Sequence, residues 1–263
     1  MTATEPDVTG PLMTAYRKGA RVALLFDYDG TLAPIAAHPW LAEMPADTRT
    51  VLQKLGRLPR LHIGVLSGRA LDELIQMVGL ADLYYCGTSG LELDLRGKRV
   101  LPAQREECAT LIDDLARSLH SVAAGASGAW IENKPLGLTV HYRGVEPALI
   151  PAFRVRVTHV IHAMGDKIRA TSGRAAIEVT PNIGWTKGSA VKNILENIGP
   201  NVFPLYAGDS GNDAAGMEMV SAFGGITIGI GAHAPMRASI SLEGPPELAT
   251  LLQAFLEDLE RQG

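Results

Sequence analysis

Cysteine is scarce: Cys86 and Cys108 are the only two in 263 residues. Two thiols cannot form a disulfide framework for a chain of this size, and their spacing matches no zinc motif. A reducing compartment is the default expectation. Charge of one sign is equally limited, with 24 Lys and Arg against 28 Asp and Glu, a formal charge of −4 and no block of like charges. That balance leaves no basic footprint for nucleic acid and suits a small charged ligand instead. No segment approaches the ~18 unbroken apolar residues of a membrane span. The start, "MTATEPDVTGPLM", carries acids where a secretory leader needs basic residues before an apolar stretch. A cytoplasmic protein without membrane contact is therefore expected. Aromatic residues make up only 5% of the chain, and with no obvious apolar helix face left over, a monomer is the default. Internal repeats and low-complexity segments are also missing.

What the chain does have is 46% hydrophobic residues, enough for a sizeable core in one large or two modest domains. Short apolar runs alternate with helical patterns, which predicts βαβ units and a parallel sheet. A strand is expected near 21–27, a helix near 47–57, a strand "LHIGVLS" at 61–67 leading into the helix "ALDELIQMVG", and a strand "LYYCGT" at 83–88. The texture then changes. "LELDLRGKRVLP" alternates around a Gly97-centred turn and reads as an antiparallel hairpin. A helix from about 103 to 120, the strands "AWIEN" and "GLTVHYR", a helix near 147–163 and the strands "KIRAT" and "AAIEVT" form an αββαββ module. From 184 the parallel pattern resumes through "NVFPLYAGD" and "FGGITIGI" to a helix near 246–260. The expectation is an α/β fold: a Rossmann-like parallel-sheet core (1–103 and 182–263) interrupted by an inserted α+β cap (104–181).

Polar residues sit at successive strand ends. In "VALLFDYDGTLAP" the carboxylates of Asp27 and Asp29 are two residues apart at the end of a buried run, so both can face one spot. An Asp-Gly pair can also be an ordinary turn. However, the carboxyl ends of parallel strands are where open α/β sheets bind ligands. Ser67 ends the second strand, with its hydroxyl and the next helix's amides open to an anion. Alone it would read as a helix cap. Lys187 opens a helix in "GWTKGSAV", against the helix dipole, and calls for a compensating anion. It precedes its glycine and fits no Walker A spacing. "YAGDSGND" adds Asp209 and Asp213, and an all-oxygen ligand set points to Mg²⁺ rather than zinc. "GIGAHA" at 229–234 matches a dinucleotide-binding pattern. It comes too late in the chain for a βαβ unit to follow, and Pro235 interrupts the required helix.

"DYDGT", "SGR", the lysine of "WTKG" and "GDSGND" stand in the order of the four motifs of the haloacid dehalogenase-like phosphatase superfamily, which this chain resembles over nearly its full length. Within it, "LLFDYDGTLAPI", "VLSGR", "IENKPLGLTVHYR" and "AIEVTPNIGWTKGSA" are similar to the trehalose-6-phosphate phosphatases. The resemblance implies Mg²⁺-dependent hydrolysis of a sugar phosphate through an aspartyl-phosphate on Asp27, with Asp29 as general acid and base. It implies phosphate contacts from Thr31, Ser67, Gly68 and Lys187. Metal would be held by Asp27, Asp209, the Asp29 main chain and Asp213. Sugar contacts would come from Arg69, Glu132, Lys134, Arg143 and Glu178, while His141 is expected to pack and hydrogen-bond.

The chain departs from that family at Ser89, where a histidine is usual, at Thr180, where a basic residue is common, and at Ala214 and Ala215 after the last motif. Trehalose 6-phosphate is the expected substrate, with sucrose phosphate or a glucosyl- or mannosyl-3-phosphoglycerate as alternatives. A phosphomutase would need its cap between the first two motifs, where only a loop and a helix fit. A non-catalytic sugar-phosphate sensor would need neither Asp29 nor the acidic fourth motif.

Overall fold

The run 22–27 is buried on both sides of the strand, a pattern that only a central position in a helix-covered parallel sheet satisfies. In the computed structural model, which describes residues 8–173 and 175–261, that is where it lies. The acid-bearing residues 1–7 fall outside the described part. After α1 (Thr9–Arg17) the chain forms β1 (Arg21–Asp27), α2 (Ala46–Arg57), β2 (Leu61–Leu66), α3 (Leu71–Val78), β3 (Tyr84–Gly87) and the hairpin β4 (Glu92–Leu95) and β5 (Lys98–Val100). The inserted segment runs α4 (Arg105–Ala124), β6 (Trp130–Lys134), β7 (Gly137–His141), α5 (Ile150–His162), β8 (Ile168–Gly173) and β9 (Ala176–Pro181). The chain then returns through α6 (Lys187–Ile198), β10 (Val202–Gly208), α7 (Ala214–Ala222), β11 (Ile226–Ile230), β12 (Ile240–Leu242) and α8 (Pro245–Glu260).

The core is an eight-stranded sheet in the order β12-β11-β10-β1-β2-β3-β4-β5. It is parallel except for β4 and β5, which join antiparallel at one edge. Leu52, Leu55, Leu252 and Phe255, from α2 and α8, cover one face. Val191, Ile194 and Met217, from α6 and α7, cover the other. Strand order reverses at β1, which pairs with β2 on one side and β10 on the other. Such a switch point opens a crevice at the carboxyl ends of the strands. Register aligns Phe26 with Ala207 and Asp27 with Leu66, so Asp27, Ser67 and Asp209 emerge side by side.

The second sheet, β6-β7-β9-β8, is antiparallel throughout. Its alternation is clean: Leu138, Val140 and Val179 pack on Leu115, Leu119, Phe153 and Val157 of α4 and α5. Residues of opposite parity, Glu132, Lys134, Thr139 and Glu178, face a cavity shared with the core. Among the described residues no helix is long and apolar enough to cross a membrane.

Three local differences from the sequence reading have physical causes. The helix α1 is short, and Gly10 and Pro11 in it weaken the helical signal. The three-residue edge strand β12 is too short for any period to register. Residues 223–225 close α7 rather than opening β11: the Phe223 amide bonds back to Met219 and Val220, and that of Gly225 to Val220.

Gly90 joins the core loop after β3 to the start of α6. Its φ is +119° and a Cβ there would lie 2.3 Å from the Thr186 carbonyl carbon. Gly90→Ala is therefore expected to cost more than ~1 kcal/mol and to lower the thermal midpoint by at least ~2 °C. Gly97→Ala, in a turn where a Cβ meets nothing within 4 Å, serves as the comparison that carries backbone strain alone.

Candidate active site

Asp27 ends β1, Asp209 follows β10, and Asp213 closes the short helical turn at 211–213. All are buried, and each places a carboxylate oxygen within 4.8 Å of the others'. Gly30 makes this possible. It takes a φ of +88°, and a Cβ on it would sit 2.3 Å from Asp209 Oδ2, so only glycine lets the first loop close over that carboxylate.

Lys187 reaches in from the first turn of α6. Its Nζ donates to Asp27 Oδ1 at 2.6 Å, Asp213 Oδ1 at 2.7 Å and Asn212 Oδ1 at 3.3 Å. The anion that a lysine in this position calls for is thus the protein's own carboxylate pair. Tyr206 donates to Asp213 Oδ1 at 2.8 Å and the Ser210 amide to Asp213 Oδ2 at 3.1 Å. Burial pushes the Asp27 carboxyl well above the usual carboxylate range, with Lys187 opposing and Asp213 and Asp209 reinforcing. Burial also works against the Lys187 ammonium, but Asp213 and Asp27 more than offset it and hold the group protonated well beyond the usual lysine range.

The all-oxygen donor set and the mutual distances of the three carboxylates fit a hard divalent cation. Thr31 points the same way: it is fully buried, and its Oγ1 has no hydrogen-bond partner among the described residues, as expected of a group awaiting a ligand.

Asp29 faces the same cavity as Asp27, but its partner is different. Arg69 grips it as a fork, Nε to Oδ2 at 2.7 Å and Nη2 to Oδ1 at 2.9 Å. The same guanidinium meets Glu73 and the Pro39 carbonyl. Arg69, expected at the sugar, lines the same cavity and also holds Asp29 there. The Ser67 hydroxyl accepts from the Arg69 amide at 3.2 Å.

The cap strands complete a cavity of about 580 Å³, lined among others by Asp27, Asp29, Ser67, Glu132, Lys134 and Asp209. Lys134 Nζ donates to the Gly68 carbonyl at 2.7 Å and to Thr139 Oγ1 at 2.6 Å. Glu178 accepts from Ser89 Oγ at 2.6 Å and faces Asn212 Nδ2 at 3.4 Å. Glu132 is 2.7 Å from His141 Nε2 and 3.5 Å from Lys134 Nζ. Burial would raise its carboxyl, yet the His141 hydrogen bond and the Lys134 charge hold it below the usual range. Arg143 donates to the Ala36 carbonyl at 2.6 Å. Lys187, Asp213 and Thr31 are not among the residues that line the cavity, and Lys187 reaches it through its contact with Asp27.

Sequence reasoning missed Asn212, Tyr206 and Arg169. Asn212 lies inside a quoted motif but between two more conspicuous aspartates. Tyr206 reads as one more apolar residue of β10. Arg169 pairs with Thr180 in the β8–β9 register and donates to Thr180 Oγ1 at 3.3 Å and the Trp185 carbonyl at 2.7 Å. The neighbouring strand thereby brings a guanidinium to Thr180, and only strand pairing reveals it. The glycines of 229–234 lead into turns and then β12, with no helix opening on them.

A carboxylate cluster at the switch point of a Rossmann-like sheet, roofed by an inserted antiparallel cap, defines a haloacid dehalogenase-like phosphoric monoester hydrolase. Within that class the chain belongs to the trehalose-phosphatase family, whose profile matches residues 25–242. It is 31% identical over 256 residues to probable trehalose-phosphate phosphatase 4 of Oryza sativa subsp. japonica, covering 93% of this chain and 68% of the relative. Probable trehalose-phosphate phosphatase I of Arabidopsis thaliana is 30% identical, with 91% and 69% covered. In fold, the chain resembles the C-terminal domain of C. albicans trehalose-6-phosphate phosphatase, with a TM-score of 0.84, 22% identity and 97% and 99% of the two chains covered. The C-terminal domain of the Candida albicans trehalose synthase regulatory protein superposes with a TM-score of 0.71, 14% identity and 94% and 98% covered.

Removing the central cation tests the electrostatics directly. Lys187→Met leaves Asp27 and Asp213 buried without their ammonium, and in chelator the variant is expected to lose about 3–5 kcal/mol of stability. Added divalent cation should restore part of that loss by binding the native cluster. Urea titrations with and without the metal read both effects, and an unchanged midpoint in chelator would rule out Lys187 as the compensating charge.

Proposed function

We propose that the chain hydrolyses trehalose 6-phosphate to trehalose and phosphate through an aspartyl-phosphate on Asp27. The observation that carries this reading is the pairing of a buried Asp27, held on one oxygen by Lys187, with an Asp29 oriented by Arg69 towards the same cavity. Residues 104–181 act as the cap that encloses the substrate. With Oδ1 taken by Lys187, Asp27 Oδ2 is the attacking oxygen. It forms a bond to phosphorus as the bond to the sugar oxygen breaks, and Asp29 delivers a proton to that leaving oxygen. Asp29 then takes a proton from the water that attacks the phosphorus, and phosphate leaves with the Asp27 carboxylate regenerated. Thr31 Oγ1, Ser67 and the amide of Gly68 bind the phosphoryl oxygens, supplying donors where charge builds up. Lys187 acts through Asp27 and Asp213, whose geometry it fixes.

Asp27, Asp209 and Asp213, with the Asp29 main-chain carbonyl, would hold Mg²⁺, which when bound neutralises and aligns the phosphoryl group. On the cap side, Glu132, Lys134, Arg143 and Glu178 offer both donors and acceptors, the combination that a polyhydroxylated ligand needs. Glu178 is already engaged by Ser89 and Asn212, so a sugar hydroxyl that reaches it exchanges with those two partners.

The deciding experiment is Mg²⁺-dependent phosphate release from trehalose 6-phosphate, sucrose 6-phosphate, the two glycosyl-3-phosphoglycerates and hexose phosphates. Trehalose 6-phosphate is expected to be preferred, and chelator to abolish release. Asp27→Asn should remove turnover while thermal melting still reports a folded protein. Asp29→Asn should lower kcat by about 10²–10⁴-fold. Persistent turnover in Asp27→Asn would eliminate Asp27 as the nucleophile, and preference for a phosphoglycerate would replace the substrate while keeping the chemistry.

A further inference from the structure

Glu178, on cap strand β9, reaches the core turn that offers the phosphate contacts. It lines the cavity together with Ser67 and Gly68, and a Cβ on Gly68 would lie 2.4 Å from its Oε1. The carboxylate therefore rests where glycine leaves room. Its hydrogen-bond partners among the described residues are neutral, Ser89 Oγ at 2.6 Å and Asn212 Nδ2 at 3.4 Å. The Ser89 that holds it is built onto the same turn. The Ser89 amide donates to the Ser67 carbonyl at 3.0 Å and the Thr88 amide to the Arg69 carbonyl at 2.7 Å, with Thr88 and Ser89 both in the left-handed region at φ +45° and +53°. Carboxylate and phosphate contacts thus belong to one assembly.

The described cations nearby have other partners. Lys134 donates to the Gly68 carbonyl and Thr139, with Glu132 3.5 Å away. Arg169 donates to the Trp185 carbonyl and Thr180; burial lowers its pKa and the Glu178 charge opposes that shift. A phosphate dianion beside Gly68 therefore meets a fixed carboxylate whose own hydrogen bonds come from neutral groups, and like charges at that range disfavour each other. A sugar ester brings hydroxyl donors that can draw Glu178 away from Ser89 and Asn212. A free phosphate dianion is nearly all acceptor and offers little in exchange.

We propose that Glu178 expels the product: once the sugar has left, its carboxylate returns to Ser89 and Asn212 and lowers the affinity of the site for inorganic phosphate. The inference rests on hydrolysis of a sugar phosphate at Asp27, as argued above. Ser89 acts through Glu178 and is a positioning residue.

The test titrates inorganic phosphate into the full chain by calorimetry at saturating Mg²⁺, and measures KM for trehalose 6-phosphate and for p-nitrophenyl phosphate, an ester with no hydroxyls to offer. Glu178→Gln is expected to tighten phosphate binding about tenfold or more and to lower the KM for p-nitrophenyl phosphate, while the KM for trehalose 6-phosphate does not fall. Damage to the site would raise both KM values, so a split between them reports the charge. Ser89→Ala keeps the carboxylate but releases it, and should tighten phosphate binding by a smaller factor. Unchanged or weaker phosphate binding in Glu178→Gln, or in Ser89→Ala where only that variant folds, overturns the proposal and leaves the phosphatase reading intact. Tighter phosphate binding in the variant, with no phosphate released from either ester by the wild type, keeps the repelling carboxylate and overturns the hydrolase reading instead.

Discussion

The buried ammonium of Lys187 between Asp27 and Asp213 is the interaction on which the rest of the site depends. It lets carboxylates from two parts of the chain share one dry location, since each would otherwise repel the other. It also fixes the direction of α6. Thr186 caps that helix in a reciprocal box with Ser189, which turns the first helical residue inward. A lysine there opposes the helix dipole, and the carboxylates it meets outweigh that penalty. The close passage of Gly90 against the Thr186 backbone then brings the loop after β3, with Ser89, beside the same helix start.

A second layer of contacts ties the cap to this centre. Lys134 holds the Gly68 carbonyl, Glu178 meets Ser89 and Asn212, Arg143 holds the Ala36 carbonyl and Arg169 the Trp185 carbonyl. Each links the cap to a core loop that carries or adjoins a site residue. The groups suited to read a sugar are therefore already oriented by the core, and a bound ligand exchanges polar partners with them rather than ordering free side chains.

Much of this is legible in the sequence because burial leaves a linear trace. The apolar run 22–26 ending in Asp27 can only be an interior strand, and polar residues at three strand ends must converge once those strands are parallel neighbours. Alternation in "IENKPLGLTVHYR" separates the face bearing Glu132 and Lys134 from that bearing Leu138 and Val140. Pairings between distant segments leave no such trace. That Lys187 meets carboxylates, that Arg69 serves Asp29 and that Arg169 faces Thr180 all depend on register and helix placement, which no local pattern encodes. Gly30 reads as a turn glycine, and its second duty, making room for Asp209, appears only when the two loops meet.

The pairing of β1 with β10 also constrains how the molecule comes into being. Asp27 and Lys187 are separated by 160 positions in the chain, and the central strand finds one of its two neighbours only after the whole cap segment has been made. Contacts of such long range slow folding. The cap is different: its helices and strands are consecutive and share their own apolar cluster. During synthesis from the N-terminus, that segment can become compact first, while β1 waits with one edge uncovered for β10 to arrive. The carboxylate centre can then form only after the cap segment has been made, and any hydrolysis it performs is itself a report that β10 has found β1.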